Sequence, residues 1–274
     1  MSEQKVKFKN ANTVNLLKYA CAASELGLPM AKRDQHKGEK GVVIVGMGSS
    51  IEDPASKDHI VKRYEEGYKI CALKFTIRWL KEQLGVQPHF TAQMDPGRHQ
   101  IDKTPIDTNV IYYLASTCHP LFYRWLLANK CDVRIFHSAC GLANEQHIYH
   151  SLFEESATTI GGFTVGNRAV GLCDFMGFPH PIEMVGFEFG WRNGQDYYAK
   201  DVTDYLPIDN CFMTDHGALD GNEWHTRPDL LASAITVTYQ QKAGLVKVIG
   251  DSIVNSLMDK PDEYLDQICT IGKE

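Results

Sequence analysis

Two kinds of apolar pattern alternate along this chain. Short apolar-rich runs occur at Val42 to Val45, Lys69 to Leu73, Pro88 to Met94, Asn109 to Ala115, Val133 to Phe136, Pro181 to Gly186 and Leu245 to Ile249. These predict strands, and the lack of alternation in Val42 to Val45 predicts that the first is covered on both faces. Between them, apolar residues recur every three or four positions, which predicts helices over residues 12–29, 54–67, 76–83, 120–129, 145–153, 161–177 and 226–243. Gly85 stops one of these helices, and Thr226, Pro228 and Asp229 form a capping start for the last. Strands that alternate with helices in this way require an α/β fold, a Rossmann-like doubly wound and mainly parallel sheet. The pattern divides the chain into an N-terminal helix and linker (1–40), a nucleotide-binding domain (41–250) with a loop-rich lid at 188–225, and a helical, surface-bound tail (251–274).

Composition narrows the class without naming a reaction. At 274 residues and 43% hydrophobic, the chain can bury a sizeable core without staples. No apolar run reaches the roughly 20 residues a membrane span needs, and the first ten residues have no apolar signal segment, so a cytoplasmic protein is expected. Eight cysteines without a C-x-x-C pair predict reduced thiols. A net charge of −6 does not call for nucleic acid, although it does not exclude a local basic groove. His147 and His150, with Glu145 nearby, lack a clear third ligand for zinc.

The polar residues gather at the carboxyl ends of the expected strands, where an open α/β sheet binds its ligands. Gly46 and Gly48 allow a tight turn and a close backbone approach to a phosphate, and Ser49 and Ser50 add hydroxyl donors. The spacing matches neither a full dinucleotide fingerprint nor a Walker A loop, so a plain structural turn stays open. Asp95 can hold a ribose hydroxyl or Mg²⁺, or simply form the turn before Pro96. Ser116 and Thr117 can bind phosphate oxygens, and His119 can act as an acid or base or cap a helix. Gly161 and Gly162, with Asn167 a turn later, offer backbone donors to an anion at an expected helix start. In the lid, His216 or His225 can serve as general base toward an acceptor hydroxyl, while Asp220-Gly221-Asn222 can equally be a hairpin turn. An aromatic-rich lid is also a possible subunit interface, so a homo-oligomer is compatible with the sequence.

The order of motifs G-M-G-S-S-I at 46–51, Q-M-D-P at 93–96, S-T-C-H-P at 116–120, G-G-F-T-V-G-N-R-A at 161–169, V-G-F-E-F at 185–189 and D-G-N-E-W-H-T at 220–226 resembles the MptE-like family. Its named members are archaeal 6-hydroxymethylpterin diphosphokinases, and some relatives are phage-encoded. A more distant similarity runs to the Rossmann-like bacterial sialyltransferases, over whose nucleotide-sugar segment Glu188, Trp191 and Tyr197 fall. The chain departs from the family at Ser49 (usually Pro), Glu188 (usually Asp) and Lys74 (often Asn). The resemblance implies a group transferase with a nucleotide-activated donor, ATP or a nucleotide sugar, and a small-molecule acceptor. In the ATP version Mg²⁺ would sit on Asp95 or Glu188. A scaffold without activity is the non-enzymatic alternative.

Overall fold

The computed structural model describes residues 13–138, 145–153, 158–159, 164–190, 217–219, 224–226 and 228–271. Its centre is an eight-stranded parallel sheet, built from β1 (Val42–Val45), β2 (Lys69–Ala72), β3 (Phe90–Gln93), β4 (Ile111–Ala115), β5 (Asp132–Ser138), β6 (Thr158–Thr159), β7 (Ile182–Val185) and a last strand, β10 (Val246–Ile249). The strand order is β10-β7-β1-β2-β3-β4-β5-β6. From β1 the chain steps outward strand by strand to β6, then returns to place β7 on the other flank of β1. That reversal makes the β1/β7 boundary the switch point of a doubly wound sheet.

Right-handed crossovers put α2 (Pro54–Glu65), α3 (Thr76–Leu84), α4 (Gln100–Lys103) and α5 (Pro120–Ala128) over one face. The return through α7 (Val165–Phe175) and α8 (Pro228–Lys242) covers the other, where the Asn167 side chain donates to the Ser233 carbonyl and ties the two helices together. Burial on both faces explains the uninterrupted Val-Val-Ile-Val of β1. Glu183, in the middle of β7, is a buried charged residue within this sheet. Its carboxylate takes a two-pronged pair of bonds from Arg63 (2.6 and 3.0 Å) and one contact from His59 (2.7 Å). Burial pushes its pKa up, but those hydrogen bonds outweigh it and hold the carboxyl below its ordinary range. Arg63 also donates to Glu66 (2.8 Å), so the guanidinium bridges the buried carboxylate to a more exposed one.

The ends of the chain are more integrated than the sequence implies. α1 (Thr13–Ser24) packs on α5 and on α6 (Glu145–Leu152), and the linker after it forms a bridge of Met30 to Ile135 on β5. The tail forms α9 (Ile253–Leu257) and α10 (Asp262–Ile271), whose Ile253, Val254, Leu257, Leu265 and Ile268 lie in the core rather than on the surface. Thr226, read from the sequence as the cap of the next helix, is also part of a strand pair. It ends β9 (Trp224–Thr226), which pairs antiparallel with β8 (Gly217–Leu219), and its hydroxyl donates to the Phe189 carbonyl. Among the described residues, Cys71, Cys118, Cys131 and Cys173 are buried free thiols and Cys21 an exposed one.

Candidate functional site

All strands of the main sheet run parallel, so their carboxyl ends share one edge. Two corners of that edge carry most of the polar chemistry.

The first corner is the β1/β7 switch. Gly46 N–H donates to Val185 O (2.8 Å) and Gly48 N–H to Gly186 O (3.1 Å), so the glycine loop is stitched to the segment leaving β7. A Cβ on Gly46 would lie 2.4 Å from the Gly186 carbonyl and 2.9 Å from the Phe187 ring, so this close approach requires glycine. Inside the loop sits the carboxylate of Glu188, which accepts the Ser50 N–H at 2.6 Å. A Cβ on Gly48 would fall 1.4 Å from its Oε2. The loop therefore already encloses a carboxyl group, and that group belongs to the chain. Glu188 is 5% exposed. Burial pushes its carboxyl up to about 7 and Asp251 adds to the push, against the pull of the Ser50 hydrogen bonds.

The segment carrying Glu188 is strained and pinned. Gly186 has φ +78° and Phe189, which carries a side chain, has φ +57° in the left-handed region. Ser252 Oγ donates to Phe187 O (2.8 Å) and Ile253 N–H to Glu188 O (3.1 Å), so the tail holds this turn in place. Lys74, at the end of neighbouring β2, is also left-handed at φ +56°. Non-glycine residues in that region concentrate where surrounding structure enforces a conformation, as ligand sites do.

The second corner lies at the ends of β4 and β5. Ser116 Oγ is 2.8 Å from His137 Nδ1, with both residues fully buried. The imidazole stacks on Tyr149 (4.3 Å between centroids) and meets the Phe153 edge (4.4 Å). Burial holds its pKa down to about 4, so it is neutral at pH 7. Next to it, Ser138 Oγ accepts from Nη1 of Arg168, a buried guanidinium on the first turn of α7. Thr164 caps that helix by accepting the Asn167 N–H (3.3 Å).

The remaining candidates have more local surroundings. His119 is the N-cap of α5: its Nδ1 accepts the Leu121 N–H (3.2 Å), and burial plus Arg98 hold its pKa down. Asp95 accepts Gly97 N–H (2.8 Å) and Gln100 Nε2 (2.6 Å), organising the turn after β3. Thr117 is buried behind Ser116 and Ser49 is half-buried on the glycine loop. Asn167 is buried, spent on the cap and on α8. Gly161, Gly162, Trp191, Tyr197 and His216 lie outside the described residues, as does the side chain of His225, whose backbone is in β9. The helix expected to open at Gly161 starts at Val165, so the anion-facing turn nearest it is Thr164 to Arg168.

Sequence reasoning missed His137, Ser138 and Arg168. The expected strand stopped at Phe136, whereas β5 runs two residues further and delivers both polar side chains to the edge. The signal was the F-H-S end of an apolar strand, the same polar-terminus pattern that marked Ser116.

No group of three or more His, Cys, Asp or Glu side chains converges among the described residues. Asp95 and Glu188 follow strands three spacings apart, about 14 Å, too far to share one ion. No described helix is long and apolar enough to cross a membrane.

A family model described as "6-hydroxymethylpterin diphosphokinase MptE-like" matches residues 21–194, which include both corners. No curated protein matches the chain. Among solved structures, the chain is similar to the MAf glycosyltransferase from Magnetospirillum magneticum AMB-1, with 13% identity and a TM-score of 0.59. That alignment covers 94% of this chain and 42% of the glycosyltransferase, a likeness of fold.

Proposed function

This chain belongs to the MptE-like family, and from that premise we propose that it is a group transferase, moving a diphosphate from ATP to the hydroxyl of a small hydroxymethyl heterocycle. The observation that carries the reading is the carboxyl edge itself, where a glycine loop at the topological switch shares one rim with buried hydroxyl, imidazole and guanidinium groups at the ends of β4 and β5. In this reaction the acceptor oxygen attacks the β-phosphorus, AMP leaves and the acceptor proton passes to a base. Alignment and charge neutralisation do most of the catalysis. Arg168, with Ser138, Ser116 and Thr117, supplies donors for phosphate oxygens, and the lid histidines His216 and His225 are the bases nearest in kind to the task. Asp95, half-buried at its strand end, fits a Mg²⁺ held by one carboxylate, phosphate oxygens and water. When bound, that ion would neutralise phosphate charge.

A second reading, transfer from a nucleotide sugar, is favoured by one feature. The Glu188 carboxylate in the glycine loop accepts hydrogen bonds, which suits ribose or sugar hydroxyls and opposes a phosphate there. Thermal unfolding against ATP, CTP, UDP-glucose and a CMP-sugar, each with and without Mg²⁺, separates the readings. A ligand at about 100 times its Kd adds about 2.7 kcal/mol. A Mg²⁺-dependent shift with ATP, together with AMP release in the presence of 6-hydroxymethylpterin, supports diphosphate transfer. A metal-independent shift with a nucleotide sugar supports glycosyl transfer, and no shift at all leaves the scaffold reading.

A further inference from the structure

Strand β3 reads Phe-Thr-Ala-Gln, and period-two geometry puts Thr91 and Gln93 on one face. Their register partners are Tyr112 and Leu114, and the Tyr112 hydroxyl donates to Pro105 O, so this is the face under the turn that carries α4. Both polar residues are 0% exposed. Neither atom of the Gln93 amide, nor the Thr91 hydroxyl, has a hydrogen-bond partner among the described residues. Gln100, in the same turn, is also buried, and its Oε1 is likewise unmatched while its Nε2 serves Asp95.

Unmatched buried amides are rare because each forfeits its hydration, and a Met or Leu of similar size would fill the same space without that loss. Retaining a glutamine here suggests that its partner arrives from outside. Gln93 ends β3 at the carboxyl edge, one strand from Ser116 and two from the glycine loop, so a ligand lying across the edge passes over it. A primary amide presents a donor and an acceptor side by side, which matches ring systems that offer a neighbouring acceptor and donor.

We propose that Gln93 is a specificity-determining residue that reads the lactam or aminopyrimidine edge of a nitrogen heterocycle, the ring of the acceptor or the base of the donor. This inference rests on the transferase reading above. Access to Gln93 requires the turn after β3 to yield, and that turn is held by the two hydrogen bonds to Asp95.

The test is Gln93→Met in the full chain, melted alone and with 6-hydroxymethylpterin, ATP or CTP. Without ligand, the melting temperature should rise by about 2–6 °C, because an unmatched polar group has been removed. With ligand, the wild-type shift should vanish for one class of probe. Loss confined to the pterin assigns Gln93 to the acceptor, and loss confined to ATP or CTP assigns it to the donor base. Gln93→Leu repeats the measurement if methionine packs badly. A melting temperature that falls in both variants would mean the amide is satisfied within the protein and overturns the inference. Ligand shifts that survive in both variants overturn it while leaving the transferase reading intact. A wild type that responds to none of the three probes overturns both.

Discussion

The two polar corners of the carboxyl edge solve the burial of a titratable group in opposite ways. At the β1/β7 switch, a carboxylate is enclosed by backbone: one short bond from Ser50 N–H, glycines on either side, and a neighbouring Asp251 that makes its charge harder to keep. At the β4/β5 corner, an imidazole is enclosed by side chains, two aromatic rings and one serine hydroxyl. Burial favours the neutral form in each case, so the acid gains affinity for its proton and the base loses it. The first corner is sensitive to volume and the second to packing and hydrogen bonding.

The largest effect should come from volume. Gly48→Val places atoms where the Glu188 carboxylate lies, and a loss of about 3 kcal/mol is expected in denaturant unfolding. Adding Glu188→Ala should recover much of it, because the clash is with that one side chain. A double variant as unstable as the single would show that the loop rejects side chains for another reason.

Next in size are two pH slopes of opposite sign. Glu188, raised from 4.5 to about 7, keeps its proton in the folded state over a range where the unfolded chain has lost it, so its contribution falls as pH rises through that window. His137, lowered from 6.5 to about 4, is neutral when folded while the unfolded chain is protonated, so its contribution rises with pH from about 4 to 6.5. Each can reach about 3 kcal/mol, and between pH 4.5 and 6.5 they offset each other. Urea melts across pH should therefore show stability rising more steeply with pH in Glu188→Gln than in the wild type, and falling more steeply in His137→Gln. Profiles parallel to the wild type would break the comparison.

Smaller effects test the hydrogen bonds. Ser116→Ala should cost about 1–2 kcal/mol by leaving a buried imidazole nitrogen short of a partner. His119→Ala, which removes a helix cap and a tilted contact with the Tyr19 ring, should cost about 0.5–1 kcal/mol in the same assay. An equal loss at the two positions would erase the distinction between a buried polar pair and an edge cap.

Much of the scaffold was legible because the determinants are local. The apolar run of β1, Gly85 in the left-handed stop of α3, and Pro120 in the first turn of α5 each act within a few residues. The local pattern fell short where a distant segment decided the outcome. Thr226 reads as a cap from its neighbours alone, but its hydroxyl also donates to the Phe189 carbonyl, 37 positions away in the chain. The tail has an amphipathic pattern that fits the surface until α8 and the turn after β7 offer it a place to bury.

The candidate site divides along the same line. Residue types and their placement at strand ends, read from the sequence alone, determined an α/β sheet with polar groups at the strand ends, and the motif order determined the family. Tertiary structure decided which of those groups meet: Glu188 reaches the loop of Ser50 from 138 positions away, and His137 reaches Ser116 across neighbouring strands. The physical reason is that hydrophobic periodicity and turn preference act over a few residues, whereas burial, and with it the protonation of Glu188 and His137, depends on what the rest of the chain packs around them.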